Sequence, residues 1–369
     1  MSAGLYLHIP FCASKCAYCD FCSRPSGDDV KRAYVRALIN EIEYMSSKFE
    51  GKIDTVYVGG GTPSCLPRGE FARLASAVFS CFDCEVSEFT AEANPESFDE
   101  SKADEYEGSG VTRVSLGVQS TDDGVLRFLG RAHDFEAAKR AAHIAARRFD
   151  ISLDQMLGLP GQTEEQLEEF AAFADCVGAA HLSSYILKVE DGTELARRVK
   201  EGLVLPDDDR CADLYDTFVA AAAKRGYLRY ETSNFAREGK HCRHNLKYWR
   251  MDDYLGLGVS AHGKIGSKRY FVASDVDAYI RRASRGEFVY EREEVLTAES
   301  AADEYVMTAL RLDDGIDVAD LERKTGVDFA ARYGEKLKRA GAYLDISAER
   351  VAIKSRYALV ANAIIAQLI

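Results

Sequence analysis

The sequence predicts an α/β fold: an incomplete barrel of six strand–helix units, followed by a C-terminal, mostly helical, winged-helix-like domain. Three observations predict it. From Leu5 to about Ile186, short apolar runs alternate with amphipathic stretches, the rhythm of parallel strands joined by helical crossovers. Several of the runs end in Gly-rich or polar clusters, as strands do at the functional face of a parallel barrel. Beyond about residue 295 the pattern changes to helical stretches with a small two-stranded piece.

In chain order, LYLHI is the first strand, and VKRAYVRALINEIEYM follows with Ala33, Ala37, Leu38, Ile42 and Met45 at helical spacing. TVYV (55–58) leads to a helix near 70–79, and FTAEA (89–93) to one near 100–107. VSLGV (114–118) precedes helices near 123–129 and 136–148, ISLDQML (151–157) precedes 164–177, and HLSSYIL (181–187) closes the series. The clusters GGGTP, EANP, GVQS and GLPGQ should therefore converge at one mouth. Residues 1–206 are expected to form this core, 207–294 an extension of the barrel, and 295–369 a C-terminal domain with helices near 299–311, 317–325 and 329–340. No repeat of 20–50 residues and no low-complexity segment interrupts the order.

Composition narrows the function. Lys plus Arg number 47 against 60 Asp plus Glu, a net charge of −13, which opposes binding to a phosphate backbone. The C-terminal piece is not notably basic, so packing or partner contact is expected of it rather than DNA binding. The longest apolar run, YALVANAIIAQLI, is shorter than a bilayer requires. A buried terminal helix is expected of it, with peripheral membrane contact as the alternative. No leader is expected before Leu5, so a cytoplasmic, reducing location is expected, where clustered cysteines signify metal or redox chemistry.

Four of the ten cysteines lie in IPFCASKCAYCDFC. Cys12, Cys16 and Cys19 form CxxxCxxC on a loop leaving the first strand. Zinc would want four protein ligands in a closed site. A cubane iron–sulfur cluster on three cysteines would keep one iron open to a small molecule. The residues alone leave both readings open. Cys81 and Cys84 form a second, isolated CxxC, expected to be ordinary thiols, and Cys65, Cys176 and Cys211 carry no assignment.

IPFCASKCAYCDF resembles the cluster loop of the radical S-adenosylmethionine (radical SAM) superfamily. The likeness continues through GGGTP, EANPE, GVQS, GRAH, DQMLGLPGQT, YETSNFA, HNLKYW and GLGVSAHG, nearly the whole chain, and points to the coproporphyrinogen dehydrogenase-like group. The resemblance implies a [4Fe-4S] cluster on Cys12, Cys16 and Cys19. Its open iron would chelate the amino and carboxylate groups of S-adenosyl-L-methionine (SAM), and one electron would cleave the sulfonium to a 5'-deoxyadenosyl radical. It implies that Tyr6 and Tyr18 pack near the cofactor and that Gly61 and Thr62 offer backbone to the methionine amine. It also implies that Glu92, Gln119, Arg131 and Asp154 line the pocket, with Arg131 for the carboxylate. Cys22 stands where the chaperone-like members of that group have a small polar residue, and the dehydrogenases place a fourth cysteine one position earlier, so it is a bystander thiol or an alternative ligand. Gln155 replaces the usual apolar residue beside Asp154.

HCRHNLKYW (241–249) reads from composition as a polar turn anchored by aromatics. A haem, though, wants an imidazole or thiolate axial ligand among flat aromatic neighbours. His244 is the first candidate and Cys242 the second. Within the group, HNxxYW and the absence of a long arm before Cys12 favour a haem chaperone, one that binds haem and delivers it to client haemoproteins. The alternatives are an oxygen-independent coproporphyrinogen III dehydrogenase and a radical SAM enzyme acting on another porphyrin. An electron donor such as flavodoxin or ferredoxin is implied, and whether the chain is an enzyme stays open.

Overall fold

The computed structural model describes residues 2–369. Its first half runs β1 (Ser2–Ile9), α1 (Asp28–Ser46), β2 (Lys52–Gly60), α2 (Glu70–Cys81), β3 (Asp83–Ala93), α3 (Glu100–Gly108), β4 (Arg113–Gln119), α4 (Asp123–Phe128) and α5 (Phe135–Ala146). β5 (Asp150–Leu157), α6 (Glu164–Cys176), β6 (His181–Ile186) and α7 (Glu194–Lys200) complete it. The six strands lie side by side in chain order, all parallel. The expected α/β architecture of six units is therefore present.

Alternation along each strand decides which residues face the helices. Leu5, Leu7, Val56, Val58, Phe89, Ala91, Val114, Leu116, Ile151 and Leu153 are buried and form one core with Tyr34, Leu38 and Ile42 of α1, Phe71 and Leu74 of α2, and Leu167 and Phe170 of α6. The alternate positions carry polar groups that bond to one another across the lumen: Tyr57 to Glu92, Ser115 to Asp154, Ser152 to His181. Parallel strands covered on both sides normally read as continuous apolar runs. Here the inner face is polar because it lines a site.

The segment that follows adds strands at both edges of the sheet. α8 (Asp208–Ala223) packs on α6, and β7 (Leu228–Arg229) and β8 (Asn234–Ala236) extend the sheet antiparallel beyond β6. α9 (Arg243–Trp249) follows, then β9 (Tyr254–Leu257), which pairs parallel with β1 on the opposite side. β10 (His262–Ile265), β11 (Lys268–Val272) and, after α10 (Val276–Ala283), β12 (Tyr290–Val295) continue antiparallel from it. β12 and β7 end the sheet without meeting, so the barrel is open.

The C-terminal part has its own core. α11 (Ala298–Ala309), β13 (Ile316–Asp317), α12 (Val318–Thr325), α13 (Phe329–Ala340), β14 (Leu344–Ile346), β15 (Arg350–Ile353) and α14 (Ala361–Ile365) enclose Tyr305, Leu321, Phe329, Tyr333, Leu337 and Ile365. Its sheet has three strands, not the expected two, because β13 pairs with β15. A two-residue strand is too short for alternation to reveal. Ile364, Ile365 and Leu368 of the terminal apolar run are buried in this core, as expected of a terminal helix. Among the described residues no helix is long and apolar enough to cross a membrane.

Candidate cofactor cavity

The loops after the strands enclose a cavity of about 410 Å³. Cys12, Cys16 and Cys19 line it together with Tyr18, Gly61, Thr62, Glu92, Gln119, Arg131 and Asp154. Of the residues expected near the cofactor, Tyr6 alone lies outside this lining. Its hydroxyl is 3.0 Å from Nδ1 of His8, whose Nε2 lies 3.0 Å from the Cys22 carbonyl, so Tyr6 braces the cluster loop from behind. The loop is also tied to distant backbone: Ala17 N–H donates to the Leu129 carbonyl (2.9 Å) and Leu195 N–H to that of Ala17 (2.7 Å).

The donor set fits an iron–sulfur cluster. All three thiols are free and line the same cavity, and thiolate is the ligand that such clusters take. Two donors already reach the sulfurs: Thr62 Oγ1 approaches Cys12 Sγ at 3.4 Å and Arg131 approaches Cys16 Sγ at 3.5 Å. Cys22 turns away, its Sγ donating to the Ser274 carbonyl at 3.4 Å.

The neighbouring wall suits a ligand with ammonium, carboxylate and ribose groups. The Gly61 and Thr62 N–H groups donate to the carbonyls of Ile9 and Phe11 (2.8 and 2.7 Å), so this turn offers an ammonium only carbonyl oxygen. Glu92 accepts from Tyr57 (2.8 Å) and from Gly60 N–H (3.0 Å). Asp154 accepts from Ser115 (3.0 Å) and Ser152 (3.3 Å). Both carboxylates face the cavity rather than bulk water, and this enclosure pushes Glu92 up to about 7 and Asp154 up to about 6. Arg131 spends one terminal nitrogen on Asn94 Oδ1 (2.7 Å) and the Gly117 carbonyl (2.9 Å), while its buried Nε has no partner. Gly117 leaves room for this fork, since a Cβ there would stand 2.8 Å from Asn94 Oδ1. Gln119 holds a left-handed backbone (φ 70°), and its Oε1 accepts from Tyr185 (2.9 Å). Such a conformation in a non-glycine residue costs roughly 1 kcal/mol and concentrates at functional sites.

Sequence reasoning missed Tyr57, Asn94, Glu96, Ser183 and Tyr185, all of which line the cavity. Polar residues at every second position of TVYV, EFTAEAN and HLSSYI were the available signal. Gln155 does not disturb Asp154, because it lies on the other face of β5, 1% exposed, with its Oε1 unpartnered.

His244 and Cys242, the expected haem ligands, are not among the residues that line this cavity. α9 plugs the end of the barrel where the strands begin. The N–H groups of Arg243 and His244 both donate to the Glu88 carboxylate of β3 (2.9 Å each), a negative charge set against a helix start. The His244 ring is fully buried. Its Nδ1 is 2.9 Å from Thr55 Oγ1 and its Nε2 2.8 Å from the Tyr248 hydroxyl, while its face lies over Tyr57 with centroids 5.3 Å apart. Burial, with Lys247 nearby, lowers it to about 3, so the ring is neutral. Cys242 is buried beside Glu88, and burial pushes its thiol up to about 12. Neither side chain has an unshared ligating position facing open space. The reading as an anchored polar segment describes this stretch better.

Three thiols at the mouth of an open parallel barrel, followed around the rim by paired carboxylates and a guanidinium, define a radical SAM protein. The Radical SAM superfamily profile matches residues 6–174, and the HemN C-terminal domain profile matches 296–356. The chain belongs to the family of the heme chaperone HemW. It is 36% identical to the Mycobacterium tuberculosis heme chaperone HemW over 99% of this chain and 94% of that one. With the Escherichia coli protein of the same name it shares 39% over 71% of this chain and 70% of the relative. In fold it is similar to the Escherichia coli coproporphyrinogen III oxidase HemN, a radical SAM enzyme, with a TM-score of 0.86 at 22% identity over 99% of this chain and 89% of that one.

Proposed function

We propose that this chain is a radical SAM haem chaperone, which binds haem and passes it to client haemoproteins. The observation that carries the reading is its identity, 36% over 99% of the chain, with a protein named heme chaperone HemW. In this reading Cys12, Cys16 and Cys19 would hold a [4Fe-4S] cluster, Glu92 and Asp154 would receive the ammonium and ribose hydroxyls of SAM, and the Arg131 guanidinium would serve its carboxylate. Gln119, fixed by Tyr185, closes the same wall. Met156, Tyr185 and Ile186 give the cavity an apolar side that keeps water from the ligand. When bound and reduced, the cluster would supply one electron to the SAM sulfonium, with flavodoxin or ferredoxin as the proposed source. The cytoplasm is the proposed location. Haem binding rests on the kinship, not on His244 or Cys242.

The test is anaerobic reconstitution followed by three assays: SAM binding, haem titration read at the Soret band, and conversion of coproporphyrinogen III. Saturable haem binding, transfer to an apo-haemoprotein and no decarboxylation support the proposal. SAM-consuming conversion to protoporphyrinogen IX without a haem band would replace it with the dehydrogenase reading.

A further inference from the structure

A hydrogen-bonded chain crosses the lumen from the plugged end to the proposed SAM pocket. Its first member is the backbone N–H of Cys242, which donates to the Tyr230 oxygen at 3.3 Å. The Tyr230 hydroxyl stands 2.8 Å from His181 Nε2. His181 Nδ1 stands 2.8 Å from Ser152 Oγ, and Ser152 Oγ donates to Asp154 Oδ1 at 3.3 Å. Ser152 and His181 are fully buried, and Tyr230 is nearly so.

The tautomer that leaves no donor of the chain unsatisfied sets its direction. The Cys242 N–H occupies one acceptor position on the Tyr230 oxygen, and His181 Nε2 is the acceptor in reach of the Tyr230 hydrogen. A neutral imidazole that accepts at Nε2 carries its hydrogen at Nδ1 and donates it to Ser152. Ser152 then has its own hydrogen for Asp154 Oδ1 at 3.3 Å, with Ser183 Oγ beside it at 3.4 Å. With the charged oxygen as the acceptor every donor points toward the carboxylate, and such aligned bonds polarise one another in a low-dielectric interior. Burial keeps His181 neutral, aided by the Arg113 guanidinium and His241.

We propose that His181 and Tyr230 are positioning residues for Asp154, through which the docked 241–249 segment governs SAM affinity from the far end of the barrel. The inference rests on the SAM-pocket reading above. It gives HCRHNLKYW a role other than haem ligation, because docking of α9 on Glu88 places the Cys242 N–H that starts the chain. The other groups facing Asp154 are Arg113 of β4, which favours its charge, and Glu92 of β3, which opposes it. Tyr57 of β2 and Tyr185 of β6 face it as neutral phenols. At the far end Tyr230 is faced by Arg113, Glu231 and Cys242.

The experiment measures SAM affinity of the reconstituted, cluster-loaded full chain from pH 5.5 to 8.5 by calorimetry for wild type, His181→Leu, His181→Gln and Tyr230→Phe, with iron content as the control. Breaking the chain removes stabilisation of the Asp154 charge. His181→Leu should therefore weaken SAM by about three- to tenfold near pH 6.5, move the midpoint of the pH profile upward, and approach wild type at pH 8.5. Tyr230→Phe, which keeps the ring packing, should move the midpoint the same way by less. His181→Gln, able to accept and donate, should restore much of the profile. Unmoved midpoints in His181→Leu and Tyr230→Phe, or a loss equal at every pH, would overturn the proposal, since a merely structural role predicts either. Wild type that does not bind SAM at all would refute the pocket reading, and the relay with it.

Discussion

Glu92 and Asp154 are carboxylates enclosed by protein, and that enclosure gives them opposite effects on folding and on binding. Burial raises them to about 7 and about 6, above the usual 4.5 and 3.8, so the neutral forms favour the folded chain. This contribution is complete below about pH 4 and is lost as pH climbs through about 6 and about 7. A cationic ligand needs the ionised forms. SAM affinity should thus rise with pH across the same window and fall by up to about tenfold per pH unit on its acid side for each proton displaced. Calorimetric titrations between pH 5 and 8 check this, and Glu92→Gln should remove the upper part of the dependence. Gln155 presents the reverse case, an amide whose buried Oε1 finds no donor. Gln155→Met should raise stability by about 1 kcal/mol, seen as a higher Tm, without changing SAM binding. Both residues stood out in the sequence, but only the strand's alternation separates the one facing the cavity from the one facing the helices.

At the scale of elements, the lumen-facing positions of β2 to β6 and the α9 plug make one polar assembly. Gly4 of β1 has no side chain because a Cβ there would stand 3.0 Å from the His244 ring. His244 therefore fills a space bounded by Gly4, Thr55, Tyr57 and Tyr248. His244→Ala should leave a cavity and orphan Thr55 and Tyr248, costing about 2–4 kcal/mol. Thermal unfolding should report that loss, while the position of any haem Soret band should stay as in wild type. A shifted Soret band at unchanged Tm would restore His244 as ligand. The helices were legible from their 3.6-residue spacing: α2 at 70–81 and α3 at 100–108 run two residues and one residue past expectation, and α13 at 329–340 coincides with it. The short strands β7 to β12 were not, because two to six residues carry little periodic signal.

Across the whole molecule, the cluster loop is held by chain that follows it by about 250 residues. Arg24 makes a two-pronged ion pair with Asp277 of α10 (2.6 and 3.1 Å), and Cys22 donates to Ser274 just before that helix. Both members of the ion pair are exposed to water, so it contributes little to stability and weakens in salt. Asp277→Ala should accelerate iron loss to a chelator by up to about fivefold at low ionic strength, and the difference should shrink in high salt. Cys12, Cys16 and Cys19 changed together to Ala should abolish iron binding, whereas Cys22→Ala should retain about four irons per chain. Iron and sulfide analysis after anaerobic reconstitution distinguishes them. Full cluster content in the triple variant would refute the ligand assignment.

The sequence by itself determined the six strand–helix units, the face on which the strand-end clusters meet, and the cysteine triplet, because spacing and polarity along the chain are local properties. Tertiary structure decided what lay between distant segments. It set Arg131 against Asn94 and a cluster-loop sulfur, put Tyr57 and Tyr185 into the wall beside Glu92 and Gln119, and seated α9 on Glu88 inside the barrel. His244 shows why the second kind of fact could not be read in advance: a histidine among aromatics has the chemistry of a haem ligand. Whether its nitrogens are open depends on Thr55 and Tyr248, and Thr55 lies 189 residues away in the chain.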